Sequence, residues 1–143
     1  MSPIANYTTT VPADNSVMEI QRMLKSHNAK SIRVDYNGQE PVGLAFLIPT
    51  RQGDLPFQLP ANIDAIKKVL ERQHVKAVID RPRAARVAWR ILRDWVRAQM
   101  AIIETEMVSL EEVFLPYMLV KDGQSLFHVM ERKGYMLTES TNE

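Results

Sequence analysis

The chain has 143 residues, 45% hydrophobic and 24% charged, with a formal net charge of +1. One domain of this length buries roughly two thirds of its unfolded surface, and the composition excludes a disordered or fibrous chain. There is no cysteine, which excludes disulfides, thiolate nucleophiles and cysteine zinc sites.

No basic segment followed by an apolar run opens the sequence, and no stretch reaches the ~18 consecutive apolar residues of a membrane span. A secretory signal and a membrane partner are therefore not expected, and a cytoplasmic location is. Residues 1–143 are expected to form one domain. Its sheet-rich part covers 6–60 with one helix, its helical part covers 61–135, and 1–5 and 138–143 are loose tails.

In chain order, the Thr-rich run Tyr7–Val11 predicts a short strand closed by Pro12. Ser16 and Glu19 have capping-box spacing, so a helix is expected to start there and run to about His27, burying Val17, Ile20 and Leu24. Ser31–Tyr36 alternates, with Ile32, Val34 and Tyr36 on one side. Asn37-Gly38 then marks a hairpin, because both residues tolerate positive φ. Val42, Leu44, Phe46 and Ile48 continue the alternation, Gly53 marks a second turn, and Leu55, Phe57 and Leu59 make a third strand. The result is a three-stranded antiparallel meander with an apolar face. Its other face carries small or polar residues such as Arg33, Asp35, Gly43, Ala45 and Gln58, and is either solvated or offered to a ligand.

A second helix is expected from Asn62 or Ile63, with Ile66, Val69 and Leu70 inward and Lys67, Lys68 and Arg72 outward. Val75–Ile79 reads equally as a helix end or a short strand. Pro82 suits the first turn of a long helix from about Arg83 to Met107. Ser109 and Glu112 form a second capping-box pair before a short helix that Pro116 interrupts. Asp122-Gly123 is a turn, and Leu126–Lys133 is a last helix ended by Gly134. The fold class is α+β: a strand, a helix and a meander, then a helical half packed on the sheet, an arrangement comparable with a helix-grip.

Charge is unevenly distributed. From Lys67 to Arg97 there are ten basic and three acidic residues, whereas the remainder holds eight basic and fourteen acidic. At 100° per residue, Arg83, Arg86, Arg90, Arg93 and Arg97 fall within an arc of about 80° on the long helix. Five arginines favour bidentate recognition of phosphate or carboxylate. A stripe of this kind has three readings. It binds a polyanion, it meets acidic residues of this chain or of a second copy, or it is merely solvated. Glu104, Glu106, Glu111 and Glu112 lie just downstream as acidic candidates.

Catalytic chemistry is not evident. His27, His74 and His128 lack metal-ligand companions at a familiar spacing, and neither a Gly-rich phosphate loop nor a GxSxG elbow occurs. His27 suits a helix C-terminus and His128 a partly buried helical position. Trp89 and Trp95 belong to the apolar side of the long helix. Phe114–Leu119 is an apolar run that docks on the domain or on another subunit. No metal, cofactor or catalytic set is expected, so an enzyme is not the expected class.

Val87-Ala88-Trp89-Arg90-Ile91-Leu92-Arg93-Asp94-Trp95-Val96, with Ala98-Gln99-Met100-Ala101 and Glu112-Val113-Phe114-Leu115-Pro116-Tyr117, resembles a family of small uncharacterised proteins encoded by phages and prophages. Tyr7-Thr8-Thr9 and Phe57-Gln58-Leu59-Pro60 extend the resemblance over most of the chain. It implies a phage or mobile-element setting, in the host cytoplasm, where nucleic-acid handling and interference with host defence are common roles. The leading expectation is non-catalytic nucleic-acid binding, in replication, recombination or single-strand annealing, with single-stranded DNA or RNA as partner. Its contacts would be Arg83, Arg86, Arg90, Arg93 and Arg97, joined by Lys67, Lys68, Arg72 and Arg33. Alternatives are sequestration of a nucleotide signal and a protein-binding inhibitor or assembly factor. A homo-oligomer is expected from the broad apolar face of the long helix and the Phe114–Leu119 run.

Overall fold

The computed structural model describes residues 2–74 and 76–135. It is an α+β fold, with the predicted meander at its centre. The elements are α1 (Ala13–Ser26), β1 (Ser31–Asn37), β2 (Glu40–Thr50), β3 (Gly53–Gln58), α2 (Ile63–Gln73), α3 (Arg81–Glu104), α4 (Leu110–Phe114) and α5 (Leu126–Arg132), with single 3-10 turns at Leu115–Tyr117 and Lys121–Gly123. The expected tail at 138–143 and the Val75 end of the ambiguous segment lie outside the described residues.

Strand alternation sets the register. Phe46 sits opposite Ile32 on one side and Phe57 on the other, Leu44 faces Val34, and Ile48 faces Leu55. The first hairpin turns at Gly38-Gln39, one residue later than the expected Asn37-Gly38, because Asn37 still pairs with Glu40 while Gly38 takes φ 63°. Between Asp35 and Tyr36 the pairing skips Val42, so β2 carries a bulge while β1 stays regular. Pro41, next to the bulged Val42, has no N–H to give the ladder. Its carbonyl instead accepts the indole N–H of Trp89 at 2.8 Å, in a fully buried contact that ties β2 to α3.

Two helices cover the apolar sheet face. Val17, Ile20 and Leu24 of α1 and Trp89, Leu92, Val96 and Met100 of α3 share one core with Leu44, Phe46, Ile48 and Phe57. Phe114 closes this core, its ring meeting Phe46, Phe57 and Trp95 edge-on. The Phe114 end of the apolar run therefore docks on the domain itself. The alanines at the start of α3 (Ala84, Ala85 and Ala88) allow close approach to Ile63 and Leu70 of α2, forming a second cluster with Val87 and Ile79.

Several expectations are corrected. Tyr7–Val11 is not a strand. It is a turn segment whose Tyr7 ring stacks on His74 at 5.2 Å, and Met118 rather than this run meets β3. Residues near the N-terminus are not all loose, since the Ile4 amide donates to Gln73 Oε1 at 2.9 Å and Ile4 packs in the second cluster. Ser16 and Glu19 do not cap α1, which begins right after Pro12, a residue already fixed near the helical φ. Residues 76–79 form neither helix nor strand. The long helix begins two residues earlier than expected, capped by Asp80, and ends at Glu104 before Glu106 turns to φ 63°. The Ser109–Glu112 capping box forms as expected.

Candidate functional site

The arginines of α3 share one face but have three different fates. Arg90 donates to Glu19 Oε2 at 2.8 Å and to Ser16 Oγ at 3.3 Å. Arg93 donates to Glu19 Oε1 at 2.9 Å and to Asp94 at 2.8 Å. Asp94 in turn accepts from the Asn6 amide at 2.9 Å. Both guanidinium side chains are held to 17–18% exposure. The helical spacing of Ser16 and Glu19, which resembles a cap, aims both side chains at α3. These hydrogen bonds, Arg90 first, hold the Glu19 carboxyl below its ordinary range against the opposing effect of burial. At Asp94 burial pushes upward, but hydrogen bonds from Asn6 and Arg93 outweigh it and keep that carboxyl low.

Neutralisation within the chain thus occurs, though not by the expected acids. Glu104 pairs with His27 at 3.3 Å, and Glu112 serves the Ser109 cap. Arg81, outside the predicted set, bridges Glu40 at 2.9 Å and Asp64, joining α3 to β2 and α2. No group of three or more His, Asp or Glu that could hold a metal occurs among the described residues.

The other predicted cations do not converge. Lys67 pairs with Glu71 at 2.9 Å. Lys68 and Arg72 are exposed and lie about 140–180° around α2 from Ile63, away from its packed side. Arg33 pairs with Asp35 at 3.1 Å on the outer face of the sheet. Arg97 is exposed, and the guanidinium groups of Arg83, Arg86 and Arg97 have no ion pair or hydrogen bond among the described residues.

Arg86 stands apart among these three. Its Nε is buried with no hydrogen-bond partner. The residue lines an open cleft of about 470 Å³ between the start of α1, the β1–β2 hairpin and the first turn of α3. The walls are largely apolar, from Pro12, Ala13, Pro41, Pro82 and Ala85. Two carboxylates also border the cleft, but both are engaged elsewhere: Asp14 accepts from Tyr36 at 3.3 Å and Glu40 holds Arg81. Sequence reasoning groups Arg86 with its neighbours and misses the cleft, because Pro12, Pro41 and Pro82 meet only in three dimensions.

A second cleft of about 500 Å³ runs between Leu59, Tyr117 and α5. On it Ser125 Oγ lies 2.6 Å from His128 Nδ1 and accepts the His128 amide at 3.3 Å, as a helix cap does. His128 is exposed rather than partly buried, and His27 sits at the C-terminus of α1 as expected. The two tryptophans behave as core residues, with Trp89 fully buried and Trp95 packed on Phe114 and Tyr117.

The molecule so described is an α+β domain with a three-stranded meander, two helices on its apolar face, and a cleft lined in part by Arg86, whose Nε is buried without a partner among the described residues. No family model, characterised protein or solved structure matches the chain. No helix among the described residues is long and apolar enough to cross a membrane.

Proposed function

We propose that this chain is a non-catalytic binding protein whose ligand carries one anionic group on an apolar body, held by Arg86 in the cleft between α1, the first hairpin and α3. The observation that carries this reading is the buried Arg86 Nε without a partner. Leaving a buried donor unsatisfied costs about 1–3 kcal/mol, so a partner from outside the chain is its natural complement. A carboxylate or phosphate supplies that partner, and the proline and alanine walls accept the apolar remainder.

Arg83 lies one turn before Arg86 on the same face and adds to the local positive potential. Arg90 and Arg93 do not contribute, since Glu19 engages both. Asp14 and Glu40 at the rim disfavour a long polyanion, which would run past them.

Binding along a nucleic-acid backbone is the second reading. It is favoured by the separate observation that Arg83 and Arg97 leave their guanidinium groups free along one line of α3, with Lys68, Arg72 and Lys76 exposed elsewhere. The two readings differ in their salt dependence. Calorimetric titration with hexanoate, phenyl phosphate and a single-stranded oligonucleotide, each at two salt concentrations, separates them. The cleft reading expects the small anions to bind with a logarithmic salt slope of about 1 or less, and Arg86→Ala to abolish that binding while Arg97→Ala leaves it intact. Oligonucleotide binding with a slope of several units, lowered by Arg97→Ala and indifferent to Arg86→Ala, supports the backbone reading. Absence of binding by all three probes rejects both.

A further inference from the structure

The outer edge of the sheet has a property that the cleft does not explain. β1 is the first strand of the order β1-β2-β3, and among the described residues only β2 pairs with it. An antiparallel ladder uses every second N–H and C=O of a strand, so the alternate groups of Ser31–Asn37 point outward with no strand to receive them. The opposite edge is different, because Met118 bridges to Phe57 and the Leu119 amide donates to the Pro56 carbonyl at 2.8 Å.

Edges of this kind are normally blunted by charged side chains (lysine above all), a proline, a bulge or short length, and the two charges of β1, Arg33 and Asp35, pair with each other. β1 spans seven residues, contains neither proline nor lysine, and stays regular where β2 bulges. Its side chains are also self-complementary. Laid antiparallel against a second β1 and centred on Val34, it places Arg33 opposite Asp35 of the other copy, and Asp35 opposite Arg33. The same register sets Ile32 against Tyr36 on the opposite face, Val34 against itself, and Ser31 against Asn37.

Arg33 and Asp35 already sit side by side at 3.1 Å on the outer face. A second copy in this register turns that pair into a ring of four alternating charges. On the apolar face, Tyr36 is 51% exposed at the edge, and Ile32 and Val34 are only half-buried. A second copy covers all three. Other registers lose this match: a shift by two residues brings Arg33 against Arg33 or Asp35 against Asp35, and like charges directly opposite are destabilising.

We infer that β1 is a homodimer interface, in which two chains join edge to edge through antiparallel β1 pairing centred on Val34 to form a continuous six-stranded sheet. This is independent of the Arg86 cleft. It is also distinct from the surfaces that the sequence suggested for oligomerisation, since the apolar face of α3 and Phe114 are occupied by the chain's own core.

Charge reversal tests the register itself. Sedimentation velocity of the full chain over a dilution series ending at ~0.5 mM measures dimerisation in the range where a small, edge-only interface associates. Arg33→Asp sets a carboxylate against Asp35 of the other copy, and Asp35→Arg sets a guanidinium against Arg33. Each is expected to weaken the dimer about tenfold or more, and the double reversal restores the alternation and is expected to return affinity to within about threefold of the parent. Arg33 is exposed and Asp35 partly so, and the circular dichroism spectrum of every variant checks that the fold is kept. A monomer at the highest concentration overturns the proposal, leaving the edge for a strand of another protein. So does a dimer that single reversals leave unchanged, or one that the double reversal fails to restore.

Discussion

Glu19 shows how one residue redirects a functional reading. Its carboxylate holds Arg90 and Arg93 at 2.8 and 2.9 Å, which takes the middle of the arginine face out of solvent. Glu19→Ala removes the carboxylate that two largely buried guanidinium groups share, leaving Arg90 with Ser16 and Arg93 with Asp94, and a loss of about 1–3 kcal/mol in urea unfolding is expected. The pH dependence has a definite sign. Glu19 is lowered in the folded state, so its contribution is complete above the unfolded value near ~4.3 and is lost as pH falls from there through the folded value. Glu19→Gln should therefore flatten the stability profile in that acid window and leave its shape above pH ~6 unchanged. Arg86 predicts the opposite effect on stability. Arg86→Met keeps an unbranched apolar stem while removing the unsatisfied Nε, so it should raise the melting temperature, by about 1 kcal/mol of stability, while abolishing anion binding. A lower melting temperature for that variant would mean that the guanidinium serves the fold. The Glu19 role is partly legible in the sequence: Pro12 fixes the helix start ahead of Ser16, which frees Ser16 and Glu19 to face a neighbouring helix. Which neighbour they face is a tertiary fact that spacing does not carry.

Among the elements, those with a strong period are legible from sequence alone. Ile32, Val34, Leu44, Phe46 and Phe57 alternate, and each lies on the helix-covered face. Asn62, Asp80 and Ser109 begin helices through side-chain caps on Ala65, Arg83 and Glu112. Tyr7–Val11 departs from its expected strand because threonine favours strands only where a neighbouring strand can pair, and among the described residues neither edge of the sheet pairs with this run. The β2 bulge has no signal beyond Pro41, whose carbonyl finds Trp89 from 48 residues away. Trp89→Phe keeps an aromatic ring but removes the indole N–H and part of the buried volume, stranding that carbonyl, and should cost at least about 1–3 kcal/mol in thermal or urea unfolding. Ser109→Ala should cost about 1 kcal/mol through the lost cap, read in the same way. A Trp89→Phe variant as stable as the parent would remove the bulge bond from the account.

For the molecule as a whole, the contrast between a basic segment and an acidic remainder is met in part by contacts inside the chain. Glu19, Glu40 and Asp64 come from the acidic part and engage Arg90, Arg93 and Arg81 of the basic part. The charge partition therefore records how α3 is fixed against α1, β2 and α2 before it says anything about partners. What it leaves over is local. Arg86 is the one stripe arginine with a buried unsatisfied nitrogen among the described residues, and it faces a cleft assembled from three separate parts of the sequence. The candidate residues can be named from composition, but not their sorting into clamps, exposed cations and a cleft-lining group. The most direct test is nuclear magnetic resonance of the nitrogen-15-labelled chain, following the Arg86 Nε–H resonance and the Ala13 and Ala85 amides during titration with hexanoate. The account predicts saturable shifts at all three sites, with the Arg90 and Arg93 resonances unmoved and the Ala13 and Ala85 shifts absent in Arg86→Ala. Shifts at Ala13 and Ala85 that persist in Arg86→Ala, or an Arg86 resonance indifferent to hexanoate and to phenyl phosphate alike, would contradict it.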